Sequence, residues 1–89
     1  MASMIIETSG RVRNAYPAPE NHPSFSLEEL QEAVGGYIER VVLPDGRPMY
    51  INEEGRCKGL PVNFLATKLA GIMIVGDVLI IDTALNPEE

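Results

Sequence analysis

The residues best suited to chemistry in this sequence are two tyrosines, two glutamates and an asparagine that flank an Asp-Gly pair. They are Tyr37, Glu39, Tyr50, Asn52 and Glu54, and Asn63 is predicted to lie at the edge of the same group. Tyrosine combines contact area with a hydroxyl group, while carboxylates and amides supply hydrogen bonds, and recognition surfaces commonly use this combination. The group therefore indicates a surface that binds a partner.

Catalysis would need an acid and a base, or a nucleophile with a base, converging on one point. Glu53 and Glu54 are adjacent, so on a strand they point to opposite faces. Glu39 and Glu54 would share a face as diagonal neighbours within roughly 7 to 8 Å, which suits a shared proton or a bound cation. The sequence carries no phosphate-binding loop of known spacing and no nucleophile elbow. A non-catalytic protein is therefore favoured over a carboxylate-based enzyme.

The single histidine and the single cysteine do not indicate a metal or redox site. His22 lies in a polar, proline-rich stretch without a second ligand type nearby, so a solvated loop residue is favoured. Cys57 has basic neighbours but no base placed to activate it, which favours a structural or surface thiol. One cysteine excludes an internal disulfide. No cofactor and no metal are predicted.

The strands that must position the polar group are joined by Asp45 and Gly46. An Asp-Gly pair between stretches rich in β-branched and aromatic residues predicts a hairpin with a two-residue turn, because both turn residues must tolerate positive φ. The strands are predicted over 37–43 and 48–53. The turn fixes the pairs across them, which are Leu43 with Pro48, Val42 with Met49, Val41 with Tyr50, Arg40 with Ile51 and Glu39 with Asn52.

Side-chain alternation sorts this hairpin into two faces. The predicted core face holds Ile38, Arg40, Val42, Met49, Ile51 and Glu53. The opposite face holds the polar group together with Val41. Because that face is predicted to be open to solvent, Tyr50 and Asn52 are expected to contribute little to stability.

The first helix is predicted over Leu27–Val34. Ser26 is a favourable N-cap, Glu29 stands three residues later and completes a capping box, and Gly35 supplies a left-handed stop. Its buried stripe is apolar, and its outward face is acidic. Three separate signals therefore agree on where this helix begins and ends.

The second helix is predicted to follow Asn63 as its N-cap and to run through Ala70. Beyond it, Ile72–Val75 and Val78–Ile81 flank Gly76-Asp77, which predicts a second two-residue hairpin. Both of these strands are apolar at every position and require cover on both faces. That requirement favours self-association.

The remaining segments are a short first strand at 4–6, a proline-rich loop over 11–24 and a tail over 83–89 that is expected to fray. The complete set of elements predicts a single α+β domain over 1–89. It consists of a mainly antiparallel sheet of about five strands with two short helices on its core face.

Composition narrows the classes of function. The chain has 89 residues, 45% of them hydrophobic, which is enough for one core. Its net charge of -6 disfavours nucleic acid, because phosphate backbones require clustered Lys and Arg. The longest apolar run falls short of a membrane span, and no signal peptide is visible. A soluble cytoplasmic protein is expected.

Several short motifs resemble a small uncharacterised domain family that is familiar from phages, plasmids and other mobile elements of prokaryotes. They are Val34-Gly35-Gly36-Tyr37-Ile38-Glu39, Asn52-Glu53-Glu54-Gly55, Leu60-Pro61-Val62-Asn63 and Val75-Gly76-Asp77. The resemblance covers about 26–81. It implies a compact α+β domain in a mobile-element setting and implies no activity.

Two interpretations of function remain open at the level of sequence. In one, the protein binds a host protein, either through the polar face or, less favourably, by imitating nucleic acid with its carboxylates. In the other, the same face is a homodimer interface with no separate ligand.

Ser26→Ala is expected to lower the free energy of unfolding by about 1 kcal/mol, because a backbone N–H in the first helical turn loses its acceptor. Urea denaturation of the two proteins measures the difference. An unchanged midpoint would show that Ser26 is not the cap.

Overall fold

The computed structural model describes residues 3–22 and 24–81, which form a five-stranded antiparallel sheet and two helices. The elements are β1 (Ser3–Ile6), β2 (Val12–Ala15), α1 (Leu27–Val34), β3 (Ile38–Val42), β4 (Pro48–Asn52), α2 (Phe64–Ala70) and β5 (Val78–Ile80). The strand order is β2-β1-β5-β4-β3. The predicted α+β class is confirmed, and the tail predicted to fray lies outside the described residues.

The two helices pack on opposite faces of the sheet. Leu30 of α1 packs with Ile5 and Leu79 on one face, here called the α1 face. Ala66 of α2 packs with a second cluster on the other face, here called the α2 face, and that cluster includes Ile6, Met49, Val78 and Ile80. The prediction that both helices share one face was wrong. Because β1 and β5 are apolar at successive positions, each face of the sheet needs its own cover.

Two hairpins in this fold use the same three-residue loop. In the first, the Glu7 N–H donates to the Arg11 carbonyl at 2.9 Å, and the Gly10 N–H donates to the Glu7 carbonyl at 2.9 Å. In the second, the equivalent bonds run from Leu43 N–H to Arg47 O and from Gly46 N–H to Leu43 O, both at 2.8 Å. Gly10 and Gly46 have φ of 95° and 96°. This is a type I turn closed by a left-handed glycine.

The two-residue turn predicted at Asp45-Gly46 was therefore wrong. Among the described residues only glycines have positive φ, so Asp45 cannot take the first position of the predicted turn. Pro44 instead starts a type I turn, which its fixed φ favours. The Asp45 carboxylate accepts from the Arg47 N–H at 3.0 Å and from its guanidinium at 2.9 Å, which stabilises the longer loop.

The extra loop residue shifts the register of β3 and β4 by one position. The observed pairs are Ile38 with Asn52, Glu39 with Ile51, Arg40 with Tyr50, Val41 with Met49 and Val42 with Pro48. Because side chains alternate along a strand, a slip of one residue moves every side chain of one strand to the opposite face relative to its predicted neighbours. Both predicted faces of the hairpin were therefore composed incorrectly.

The loop predicted over 11–24 contains strand β2 at its start. Residues 12–15 pair with β1 at the edge of the sheet. Exposed Val12, Arg13 and Asn14 give this strand no apolar alternation, and this is why the sequence pattern did not indicate it. The described part of the segment from 16 to 24 contains no helix or strand.

The hairpin predicted around Gly76-Asp77 does not form. Strand β5 lies between β1 and β4 and pairs with both. Val75 makes only an isolated bridge with Val62, and the Gly76 N–H donates to the Pro61 carbonyl at 2.8 Å. Residues 72–76 therefore fold back on residues 61–63, while the buried position of β5 explains why it is apolar throughout.

The predicted helix ends are confirmed. Ser26 and Glu29 form the capping box of α1, and Gly35 ends this helix with φ of 80°. Asn63 caps α2, and Gly71 ends it with φ of 78°. None of the helices in the described part of the chain is long and apolar enough to cross a membrane.

Glu29 also holds the proline-rich segment against α1. Its carboxylate accepts from the Ser26 N–H at 2.8 Å, from the Ala18 N–H at 2.6 Å and from the Asn21 amide at 3.2 Å. The backbone donors at Ser26 and then Ala18 lower the pKa of Glu29 below its ordinary value. One carboxylate therefore serves both the helix cap and the preceding loop.

This pKa shift predicts a dependence of stability on pH. Because the folded pKa of Glu29 lies below the unfolded one, its contribution is complete above the unfolded pKa and is lost as the pH falls through the folded pKa. The stability difference between wild type and Glu29→Gln is expected to be largest near neutral pH and to shrink on acidification. Urea midpoints across that pH range measure it, with Glu32→Gln as the control. A difference that does not change with pH would contradict the assignment.

Candidate functional site

The predicted polar face does not assemble. Tyr50 and Asn52 lie on the α1 face, whereas Glu39 is paired with Ile51 on the α2 face. Tyr37 precedes β3 and is 64% exposed, and Glu54 lies in the turn after β4. The prediction that these residues share one solvent-exposed surface was wrong, because the observed register separates Glu39 from Tyr50 and Asn52 and α1 covers the face that carries those two.

Asn52 is a buried structural residue with 4% of its surface exposed. Its amide nitrogen donates to the Val34 carbonyl at 3.1 Å, and its side-chain oxygen accepts from the Glu54 N–H at 2.8 Å. The first bond satisfies a carbonyl at the end of α1, and the second forms a local turn after β4. Asn52 thus joins α1 to the sheet.

Asn63 is also buried, with 1% exposed. Its side-chain oxygen accepts from the Ala66 N–H at 3.1 Å, and its amide nitrogen donates to the carbonyls of Ile6 and Gly76, both at 2.9 Å. Three separate segments therefore meet at one side chain. It lies inside the fold rather than at the edge of a binding surface.

The remaining members of the group are dispersed. Tyr50 is partly buried and packs against the α1 cluster. Glu54 forms an ion pair with Lys58, with 3.5 Å between oxygen and nitrogen. Because Glu54 lies in a turn and Glu39 on a strand, the structure does not create the diagonal carboxylate pair that sequence reasoning allowed. Among the described residues no group of three potential metal ligands occurs.

Among the described residues of the second half of the chain, the most exposed large apolar ones lie on α2 and in the segment after it. Phe64 is 78% exposed, Ile72 55%, Met73 51% and Leu65 38%. These four residues are here called the α2 patch. A helix of seven residues that carries apolar side chains on both its inner and outer sides has more apolar surface than the sheet covers.

The segment after α2 is held alongside the helix by three hydrogen bonds. The Ile74 N–H donates to the Thr67 hydroxyl at 2.8 Å, and that hydroxyl donates to the Ile74 carbonyl at 3.2 Å. The Asn63 N–H donates to the same carbonyl at 2.8 Å. Residues 72–74 therefore run beside the first turns of α2. Ile74 is buried, which leaves Ile72 and Met73 outside the core.

Charge is distributed unevenly along the sequence. Residues 55–76 contain no Asp or Glu but do contain Arg56, Lys58 and Lys68. The remaining positions hold all 13 acidic residues and only four of the seven basic ones. The α2 patch thus belongs to the one long stretch of this acidic chain that is positively charged.

A cleft of about 530 Å³ lies between α1 and β2 on the α1 face. Its lining residues are Ile5, Arg13, Asn14, Ala15, Tyr16, Phe25, Glu29, Glu32, Ala33 and Leu79. Two of its charged groups are already engaged, since Arg13 forms an ion pair with Glu7 at 3.0 Å and Glu29 binds the proline-rich segment. The cleft therefore offers a ligand mainly its shape and its apolar surface, because most of its charged groups already have partners.

The whole chain, residues 1–89, matches the family described as "Domain of unknown function (DUF3846)". No curated protein and no solved structure matches the chain.

Asn52→Ala is expected to lower the free energy of unfolding by about 1 to 3 kcal/mol, because the Val34 carbonyl and the Glu54 N–H lose their partner. Glu39→Ala, at an exposed position of the same hairpin, is the control and should change stability by at most about 0.5 kcal/mol. Chemical denaturation compares them. Equal stability of the two variants would show that Asn52 does not hold α1.

Proposed function

The chain belongs to the DUF3846 family, and we propose that it is a non-catalytic domain that binds another protein through the α2 patch. The observation that carries this proposal is the exposure of Phe64, 78% of whose surface faces solvent at the first position of α2. Together with Leu65, and with Ile72 and Met73 in the segment held alongside α2, Phe64 leaves exposed apolar surface that a protein partner would cover.

The composition of the α2 patch suits a protein partner. Aromatic residues and methionine are enriched at the centres of protein interfaces, where charged residues are depleted. Met73 adds an adaptable side chain. The hydrogen bonds between Thr67 and Ile74 hold the helix and the following segment in one arrangement, which lowers the entropic cost of binding.

The charge of α2 indicates which kind of partner surface would bind the α2 patch. The basic residue of α2 is Lys68, which is exposed, and this helix carries no carboxylate, so the fitting surface is an apolar one with a carboxylate opposite Lys68. Carboxylates of the partner would be attracted to Lys68 and repelled by the acidic remainder of the chain. Binding is therefore expected to weaken as salt screens these charges.

The motif resemblance to domains of phages and plasmids supports a partner from the host cell and a cytoplasmic setting. The second interpretation is a homo-oligomer without another ligand, which the sequence favours through the polar face and through the apolar stretches at 72–75 and 78–81. Neither reason holds in the structure, because the polar face does not assemble and β5 is buried within the monomer. The two carboxylates considered for catalysis, Glu39 and Glu54, lie on a strand and in a turn, and Glu54 is paired with Lys58, which favours binding over a carboxylate-based enzyme.

Phe64→Asp and Met73→Asp are each expected to weaken partner binding on the order of tenfold or more, since a charge replaces an apolar contact at the interface. The partner is first captured from an extract of the natural host by the wild-type protein and identified by mass spectrometry. Calorimetric titration of the purified partner then gives the affinity of each variant.

Leu27→Asp is the matched control, because Leu27 is also the first residue of its helix and is 57% exposed, but lies on α1. Aspartate is favourable in the first turn of a helix, so both helix variants should stay folded. Binding that survives Phe64→Asp and Met73→Asp, or that Leu27→Asp abolishes equally, would contradict the α2 patch as the binding site.

A further inference from the structure

The sheet has two open edges, β2 and β3, and they differ in how well they can pair with a copy of themselves. An edge strand presents unpaired backbone N–H and C=O groups that template another strand. Proteins block such pairing with charges on the edge. Self-pairing of either edge is therefore limited by the charges that it would bring into contact.

The hydrogen bonds of the first hairpin show which groups of β2 point outward. The Glu7 N–H donates to the Arg11 carbonyl, so Glu7 and Arg11 are a hydrogen-bonded pair. In an antiparallel ladder such pairs alternate along the strand. Arg13 and Ala15 therefore bond to β1, whereas the backbone groups of Val12 and Asn14 point away from the sheet.

We propose that β2 is the docking site for a second copy of this chain, which adds antiparallel to β2 across a two-fold axis that passes beside Asn14. A two-fold axis that continues the sheet runs perpendicular to it and keeps each face on its own side. Asn14 then lies opposite Asn14 of the partner subunit, Val12 opposite Tyr16 of the partner subunit, and Arg13 opposite Ala15 of the partner subunit.

This register uses the outward backbone groups fully. Asn14 exchanges two bonds with its counterpart, and Val12 exchanges two with Tyr16 of the partner subunit on each side of the axis, giving about six hydrogen bonds in an antiparallel ladder. A register centred on Arg13 would give about four and would place two guanidinium groups face to face. The axis beside Asn14 is therefore favoured.

The same register covers exposed apolar surface. Val12 is 48% exposed and Tyr16, which directly follows β2, is 67% exposed. Tyr16 also borders the cleft on the α1 face, and in this register it lies across the dimer contact from Val12 of the partner subunit, so both residues lose exposed apolar surface. Each copy supplies one of each, so the contact is self-complementary.

Charge complementarity supports a second copy as the occupant. Arg13 of the partner subunit comes to lie beside Ala15, which lines the cleft that also contains Glu29 and Glu32. Glu29 of that cleft is already hydrogen bonded, but Glu32 forms no ion pair among the described residues, so the guanidinium of the partner's Arg13, which also pairs with Glu7 of its own chain, brings positive charge towards this carboxylate on each side of the axis. This arrangement offsets part of the repulsion between two chains that each carry a charge of -6.

The other edge of the sheet is blocked. The Leu43 N–H donates to the Arg47 carbonyl, so alternation turns the backbone groups of Ile38, Arg40 and Val42 outward. The register with the most hydrogen bonds is centred on Arg40 and sets it against Arg40 of the partner subunit. Like charges directly opposite destabilise a strand pair. On β2 the register centred on Asn14 places Arg13 diagonal to its counterpart rather than directly opposite it, so β2 is the more favourable edge for self-pairing.

Sedimentation equilibrium tests this proposal with the full chain. The wild-type mass is expected to rise with concentration from 9.7 kDa towards twice that value. Asn14→Lys should weaken the dimer on the order of tenfold or more by opposing two cations at the axis. Val42→Lys, the same change on the β3 edge, should leave the dimer intact. A wild type that stays monomeric, or an equal effect of both variants, would overturn the proposal.

Mixing separates the register from a general loss of stability. Asn14→Lys and Asn14→Asp are each expected to be folded by circular dichroism and monomeric, whereas an equimolar mixture should form a heterodimer because opposite charges then meet at the axis. A mixture that remains monomeric would exclude the register centred on Asn14. Neither result depends on the α2 patch, so this test is independent of the proposed function.

Discussion

The buried amide of Asn63 is the constraint on which the rest of this structure depends. It caps α2 and donates to the carbonyls of Ile6 and Gly76, so it joins β1, the second helix and the turn before β5. A helix of seven residues is too short to be stable alone in water. Packing of Ala66 and this three-way contact hold α2 on the sheet, and they also place β5 between β1 and β4.

Asn52 has the equivalent role on the other face. Its amide ties the end of α1 to β4, and the burial of both asparagines is acceptable because each is hydrogen bonded to the backbone. The polar residues that first suggested a binding surface are thus divided between the two helices. Asn52 and Asn63 build the fold, while both proposed interaction surfaces use exposed residues elsewhere.

The two proposed surfaces fit together geometrically. Val12 belongs to the α2 face by alternation, and the α2 patch lies on the outer side of the helix that covers that face. Because a two-fold axis perpendicular to the sheet keeps each face on its own side, a dimer through β2 would present two α2 patches in the same direction. A repetitive or dimeric partner would then gain affinity from binding both patches at once.

The amino-acid sequence was sufficient to predict the helix caps at Ser26 and Asn63 and the glycine stops at Gly35 and Gly71, because caps and stops involve residues only a few positions apart. It was also sufficient to predict the α+β class. Tertiary structure decided the rest. The hairpin register turned on whether Pro44 joined the loop, and that one residue placed Glu39 on the face opposite Tyr50 and Asn52. The packing of α1 then covered the face that carries Tyr50 and Asn52. Strand β2 and the place of β5 were hidden because exposed edge positions lack alternation and a central strand is apolar throughout. The exposure of Phe64 could not be read at all, since the same apolar residue is typical of a buried stripe until the packing of α2 is known.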